Sequence, residues 1–231
     1  MFTENALGTV IVTGGASGLG AAVADAVAGR NGTPVVLDRV PPSSPYACVE
    51  VDLAESKAAE EAVRRAAEEV GPPSAIVTCA GTDVPGPFVV TSTETWERIV
   101  AVNLLGTAAV IRAALPYLIE RHGKVVTIAS TLGHRVFGDA TAYCASKFGV
   151  VGFSRALQAE LQGQVGITML TPGGMHTGFF DARDDKYKPP PDARLCRPSD
   201  VADAVMFALT RPAGCEVKEL VVAPPTESSW P

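Results

Sequence analysis

The sequence predicts an α/β domain: one doubly wound, parallel, seven-stranded sheet with helices on both faces. Three observations lead there. Seven short β-branched runs alternate with longer Ala-rich segments of helical character. Most of those runs are continuously apolar, without polar alternation, as strands covered on both faces require. The 231 residues suit one such domain, and neither a break in composition nor an internal repeat divides them.

The first run, TVIVT at 9–13, leads into a Gly- and Ala-rich helix at 18–29. PVVLD at 34–38 and ACVEVD at 47–52 follow as the second and third strands, then a helix at 54–70. On that helix Glu60 precedes Arg64 and Glu61 precedes Arg65 by one turn, the favourable order for ion pairs, while Ala59, Val63, Ala66 and Val70 share the buried face. SAIVTC at 74–79 is the fourth strand, 94–121 a long helix and KVVTIAS at 124–130 the fifth strand. A helix at 140–163, the strand GITML at 166–170, a helix at 198–209 and the strand ELVVA at 219–223 complete the series. One irregular stretch interrupts it: 179–198, FFDARDDKYKPPPDARLCRP, mixes charges with three consecutive prolines. A disordered surface excursion and a mobile lid over a ligand are both open for it.

Composition excludes several classes. There are 19 Lys+Arg against 25 Asp+Glu, a net charge of −6, with 47% hydrophobic residues, which speaks against a disordered tail and against a nucleic-acid-coating polycation. Five cysteines (Cys48, Cys79, Cys144, Cys196, Cys215) are odd in number and form no C-x-x-C pair, so neither a disulfide framework nor a zinc ribbon is expected, and a reducing, cytoplasmic compartment is. His122, His134 and His176 stand at no ligand-like spacing, so no protein-built metal site is expected. The start MFTENALGTVIV carries Glu4 and no basic segment ahead of its apolar stretch, unlike a secretory leader. The apolar stretch between Arg98 and Arg112 contains Asn103 and is shorter than the ~20 residues a membrane span needs.

The chemistry begins after the first strand. There TGGASGLG places Gly14, Gly15, Gly18 and Gly20 around Ser17 and Leu19, just before a helix. Small residues admit a diphosphate to the backbone, and the helix start offers free N–H groups to it. Asp38 ends the second strand, where a carboxylate accepts hydrogen bonds from adenosine-ribose hydroxyls and repels a 2′-phosphate; this favours NAD. Arg39 follows and keeps NADP open, although Ser17 leaves the glycine turn without a basic side chain. Asp52, at the end of the third strand, has two readings: acceptor for the adenine amino group, or cap of the helix that starts near Leu53.

Tyr143 and Lys147 lie four residues apart in AYCASKFGV, on one helix face. An unperturbed phenol ionises near pH 10, so a Tyr working as acid or base at neutral pH needs a neighbouring positive charge, which Lys147 and an oxidised nicotinamide would supply. Ser130, thirteen residues upstream, ends the fifth strand on the ligand-binding edge and can donate to a substrate oxygen.

With these motifs in place, the chain resembles the short-chain dehydrogenase/reductase family in its compact, single-domain, Rossmann-type form. Its T-G-x-x-x-G-x-G turn matches 13–20, and its catalytic Ser, Tyr and Lys match Ser130, Tyr143 and Lys147. The resemblance makes Asn103, in VNLLG, the fourth catalytic residue, its carbonyl holding a water that leads to Lys147; an Asn satisfied in the core at a helix bend is the other reading. It also implies that Ala80 and Gly81 approach the adenosine ribose, that Pro172 and Gly173 lie beside the nicotinamide, and that Met175 holds the carboxamide through its backbone. Thr177 would assist near the cofactor or serve as a helix cap. His176 is read as a bystander, and Cys144 as a packing residue.

Where relatives carry N-N-A-G, this chain has Thr78, Cys79, Ala80 and Gly81, which removes amides that brace the central sheet. The family further implies the sheet order 3-2-1-4-5-6-7, a substrate lid at about 178–198, self-association as a tetramer or dimer, and an alcohol or carbonyl substrate. Two other readings were open: a catalytically silent dinucleotide-binding regulator, and an epimerase or dehydratase, whose relatives carry a longer substrate domain.

Overall fold

The strands β1 (Thr9–Thr13), β2 (Thr33–Asp38), β3 (Ala47–Glu50), β4 (Ala75–Thr78), β5 (Lys124–Ile128), β6 (Gly166–Pro172) and β7 (Glu219–Val222) form one sheet in the order β3-β2-β1-β4-β5-β6-β7. Every ladder is parallel. This is the Rossmann-like order that the family resemblance implies. The computed structural model describes residues 7–230; the chain start, with the expectation of no secretory leader, falls partly on 1–6, outside the described residues.

The sequence builds two cores from one sheet by alternation. Val10 and Val12 of β1 point to one face, with Val77, Val126 and Leu170, and meet Leu19, Val23 and Val27 of helix α1 (Gly18–Ala28) and Val201, Val205 and Met206 of α6 (Pro198–Leu209). Ile11 points to the other face with Leu37, Ile76, Val125 and Ile167, against helices α2 (Ser56–Glu69), α4 (Thr107–Arg121) and α5 (Thr141–Glu160). Both faces being apolar is why the strands read as unbroken runs. Each such side chain, fully buried, contributes about 1.5–3 kcal/mol.

Strand ends shift from the expected bounds for a reason. β6 runs on to Pro172 because β7 continues the ladder, Thr171 and Pro172 lying opposite Val221 and Val222. β3, β4 and β5 stop short of Asp52, Cys79 and Ser130, whose backbones turn out of the sheet toward the same edge.

The long helix expected at 94–121 is continuous but not uniform. α3 (Thr93–Val100), N-capped by Ser92 Oγ accepting from Thr95 N at 3.2 Å, passes into a π-helical segment, Ala101–Gly106, and then into α4. His122, at φ 48°, ends it in the left-handed region. The run Thr93–Arg121 is long and apolar enough to cross a membrane by length and composition, a property hidden when the stretch is measured only between Arg98 and Arg112; half of its most apolar window is buried in the domain.

Two expectations for α2 are corrected. It starts at Ser56, because Asp52 first makes a turn of its own, its Oδ1 accepting from Ala54 N at 3.0 Å. Its ion pairs are Glu61–Arg64 and Arg65–Glu69, while Glu60 pairs with Arg112 of the neighbouring α4 at 3.0 Å. Exposed pairs are worth so little, ~0–1 kcal/mol, that a partner on a packed helix displaces the expected one. Ala59, Val63 and Ala66 are fully buried as expected, with Val70 packed at the edge of the same core.

At the centre of the sheet the replacement of the family's amide pair leaves a trace: Thr78 Oγ1 is buried with no hydrogen-bond partner. Removing an unpaired buried hydroxyl while keeping the shape removes a penalty of ~1–3 kcal/mol. Thr78→Val should therefore raise the urea midpoint of unfolding, or leave it unchanged, where a paired threonine would show a loss.

Candidate active site

The strand order reverses direction between β1 and β4, and the loops leaving the two strands diverge there, opening a crevice at their C-terminal ends. The cleft is about 810 Å³, within the range of a small-molecule site. Its floor is the glycine turn. Gly14 has φ 68°, and a Cβ on it would stand 2.8 Å from Ala80 Cα; a Cβ on Gly20 would collide with the carbonyl of Gly14. Ala80 N donates to Thr13 Oγ1 at 3.1 Å, which ties the two strand ends together. Ser17 stands at the N-cap of α1 without a side-chain cap hydrogen bond, so no capping side chain occupies the first-turn amides there.

Asp38 sits beside this turn. Its Oδ2 accepts from Ala16 N at 3.0 Å and its Oδ1 from Arg39 N at 2.7 Å, so it braces the loop while facing the cleft. Ser17, Gly18, Leu19, Gly20, Arg39, Asp52, Leu53 and Gly81 also line the cleft. The helix-cap reading of Asp52 is corrected: the carboxylate takes both of its oxygens to Arg98, at 3.1 and 2.8 Å, besides Ala54 N. Burial pushes its pKa up, and the Ala54 amide and Arg98 outweigh that to hold it below the usual range.

At the other end, Ser130 follows β5 and its Oγ accepts from Leu132 N at 3.1 Å, capping a single 3₁₀ turn. Tyr143 and Lys147 project from α5 into the same cleft. Lys147 Nζ donates to Ile128 O at 2.9 Å and lies 5.7 Å from the centre of the Tyr143 ring. Burial pushes the phenol up to about 12; a hydrogen bond from the Ser130 hydroxyl and the charge of Arg183 pull it back, and Asp83 pushes it further up. Burial lowers the Lys147 ammonium to about 8. The expected depression of the phenol by Lys147 is therefore not present in the protein alone, where Nζ is engaged by a backbone carbonyl and burial dominates.

Asn103 is the one expected site residue that does not line the cleft. It lies one layer behind, in the middle of the π segment and 1% exposed. Its Nδ2 donates to Thr82 O and Ser146 Oγ, its Oδ1 accepts from Thr82 N, and its carbonyl accepts from Thr107 Oγ1. It thus clamps the loop after β4 to α5.

Pro172 at the end of β6, with Gly173 and Met175 after it, lines the cleft. Thr177 caps a 3₁₀ turn, Gly178–Phe180, with Oγ1 accepting from Phe179 N at 3.3 Å, and its methyl is 3.3 Å from where a Gly18 Cβ would stand. The irregular segment is an ordered flap: a bridge between Met175 and Cys196 closes its base, and Tyr187 OH donates to Asp139 Oδ2 at 2.7 Å. Phe179, Phe180 and Tyr187 line the cleft.

Four lining residues carry no sequence signal that singles them out. Asp83 and Arg183 form an ion pair of 2.8 Å across a hundred positions. Glu227 accepts from Gly174 N at 2.9 Å and from Ser229 N at 3.2 Å, and the Ser229 hydroxyl donates to Thr131 Oγ1 at 2.7 Å. The tail after β7 thereby becomes a wall beside Ser130.

A parallel α/β domain with its ligand cleft at the switch point is the class that fold and site define. The short chain dehydrogenase family profile matches residues 8–188. Glycine betaine reductase ATRR of Emericella nidulans is 33% identical over 94% of this chain, which spans only 19% of that longer protein. An uncharacterised oxidoreductase of Staphylococcus aureus is 29% identical over 93% of this chain and 96% of its own length. Among solved structures, the closed form of serine dehydrogenase complexed with NADP+ superposes with a TM-score of 0.86 at 26% identity, covering 95% of this chain and 96% of that one. Ligand-free aldohexose dehydrogenase of Thermoplasma acidophilum gives 0.84 at 25% identity, covering 93% and 92%. The chain belongs to the short-chain dehydrogenase/reductase family of oxidoreductases.

The Lys147 pKa has a measurable consequence. A group whose native pKa, about 8, lies below its usual 10.5 gives up its proton on folding, so stability rises with pH between those values and does not change below them on this account. Urea midpoints measured at pH 7.5 and 9.5 should rise in the native protein relative to Lys147→Met, which lacks the titrating group.

Proposed function

We propose that the protein is an NAD(P)-dependent oxidoreductase that interconverts an alcohol and its carbonyl compound, with Tyr143 as general acid and base. The observation that carries this reading is the meeting of Tyr143, Ser130 and Lys147 in one cleft with the glycine turn. A nicotinamide dinucleotide held there would supply or accept the hydride. The turn at 14–20 and the amides of α1 fit its diphosphate, and Asp38, Asp52, Leu53, Ala80 and Gly81 fit its adenosine half. Pro172, Gly173, Met175, Thr177 and Lys147 fit its nicotinamide half.

In reduction the Tyr143 phenol gives its proton to the carbonyl oxygen; in oxidation it would take the alcohol proton as phenolate, the form that the positive charge of a bound oxidised nicotinamide together with Lys147 would favour against its burial, while Ser130 donates to the reacting oxygen and steadies it. Burial holds the resting phenol protonated, the form in which it gives a proton to a carbonyl oxygen. The Lys147 ammonium keeps the backbone of β5 and α5 in register and holds positive charge near the phenol. Asn103 acts behind it by fixing the Thr82 loop against α5. The charge and position of Asp38 favour NAD over NADP, with Arg39 as the competing feature. Five unpaired cysteines support a reducing, cytoplasmic setting. Exposed Leu105 and Phe148, on the π segment and α5, suit self-association through these helices. Nothing favours a silent regulator, since the four catalytic positions are all occupied.

A panel of alcohols and ketones followed by nicotinamide absorbance tests the reaction. Tyr143→Phe should lower kcat by ~100- to 10,000-fold while cofactor binding, measured by fluorescence, stays within a few-fold; full turnover in the variant would overturn the mechanism. Asp38→Ala should weaken NAD and improve relative use of NADP, read as the ratio of the two kcat/KM values. A native preference for NADP would mean that Arg39 prevails.

A further inference from the structure

Asp83 lies two residues beyond Gly81, on the fixed side of the cleft, and Arg183 lies in the flap between its two 3₁₀ turns, Gly178–Phe180 and Asp185–Tyr187. Their side chains are only 4% and 13% exposed, and Arg183 Nη2 meets Asp83 Oδ2 at 2.8 Å. Burial raises the Asp83 carboxyl, opposed by Arg183 and by the amide of Val84, so the carboxylate depends on its partner. The guanidinium carbon lies 4.7 Å from the centre of the Phe179 ring and 4.8 Å from that of Phe180, and the rings meet edge to face at 5.5 Å. Phe179 in turn lies 5.8 Å from the Tyr143 ring. One chain of contacts therefore runs from the end of β4 through the flap to the phenol.

We infer that the Asp83–Arg183 ion pair positions the catalytic phenol, seating Phe179 on Tyr143 and making flap closure and the burial of that ring a single event. Arg183 Nε is buried without a hydrogen-bond partner, so the guanidinium is only partly satisfied when closed. That leaves the Asp83 contact and the two rings to hold the flap at this point, with Tyr187 and Asp139 as its second clasp. A buried charge that loses its partner is strongly disfavoured, which gives a single carboxylate control of the segment. The pair is a positioning element: it reaches Tyr143 by contact through Phe179, and its two charges act on the phenol in opposite directions. Its catalytic meaning rests on the reading of Tyr143 as acid and base; its geometry does not.

Two readouts need neither substrate nor cofactor. Chymotrypsin reports the flap by cleavage after Phe179, Phe180 and Tyr187, and N-acetylimidazole, mapped by mass spectrometry, reports access to the Tyr143 hydroxyl. Asp83→Asn should raise both rates at least fivefold. Arg183→Lys, which keeps a cation for Asp83, should retain most of the protection, and Asp83→Asn/Arg183→Met should be no more open than Asp83→Asn alone. On whatever alcohol or ketone is turned over, Asp83→Asn should lose about tenfold in kcat/KM, mainly through KM, with cofactor affinity unchanged and with rescue in Arg183→Lys.

Rates equal to the native protein's in Asp83→Asn, or losses in the double variant equal to the product of the single ones, would overturn the inference. Should Asp83→Asn unfold, shown by loss of the far-ultraviolet circular dichroism signal, Phe179→Leu decides. It keeps the ion pair, so the flap should stay protected while Tyr143 becomes reactive; an unreactive Tyr143 there would overturn the inference. Turnover of no alcohol or ketone would defeat the redox reading, while cleavage and acetylation would still decide the role of the pair.

Discussion

The close approach of Gly14 to Ala80 is the contact on which the site depends. With no room for a side chain between them, the turn after β1 lies directly on the end of β4, and Thr13 Oγ1 ties the two by accepting from Ala80 N. That contact sets where α1 begins and where the loop carrying Gly81, Thr82 and Asp83 leaves the sheet. Asn103 then holds the same loop through Thr82 and reaches Ser146 on α5. The glycine-turn end and the Tyr143 end of the cleft are therefore parts of one packed unit, joined through the Thr13 hydroxyl and the buried Asn103 amide rather than through a chain of exposed side chains.

Burial disfavours the charged forms of the titratable groups at the Tyr143 end of the cleft. Burial moves the Tyr143 phenol up and the Lys147 ammonium down, so both shift toward their neutral forms. Lys147 offsets part of its desolvation by donating to Ile128 O.

Legibility in the sequence followed the range of the interaction. The seven strands, the glycine turn and the Tyr143–Lys147 pair were readable because each rests on a local pattern: an unbroken apolar run, a strand running into a helix, one helical turn. Pairings set by packing were not. Glu60 chose Arg112, and Asp52 chose Arg98, across elements whose relative placement no local pattern encodes. Asp83 and Arg183 are ordinary charged residues until the fold joins positions a hundred apart. The Glu227 tail was silent for the same reason, being a polar stretch whose meaning comes from the Gly174 amide it reaches. The phenol went against expectation because the spacing of Tyr143 and Lys147 says that they share a face and says nothing of how dry that face is.

The π-helical segment Ala101–Gly106 acts as a phase adjuster in the longest helix. Each wide turn holds more residues than an α turn, so the helix emerges rotated about its axis relative to an uninterrupted one. α3 then packs toward α5 while α4 packs toward α2, two partners that a single straight stripe would have to compromise between. Loss or gain of one residue within 101–106 would re-index every side chain that follows, turning Val110, Ile111, Ala114 and Leu118 out of the core they now fill. That makes the segment intolerant of length variation even where its individual side chains are replaceable.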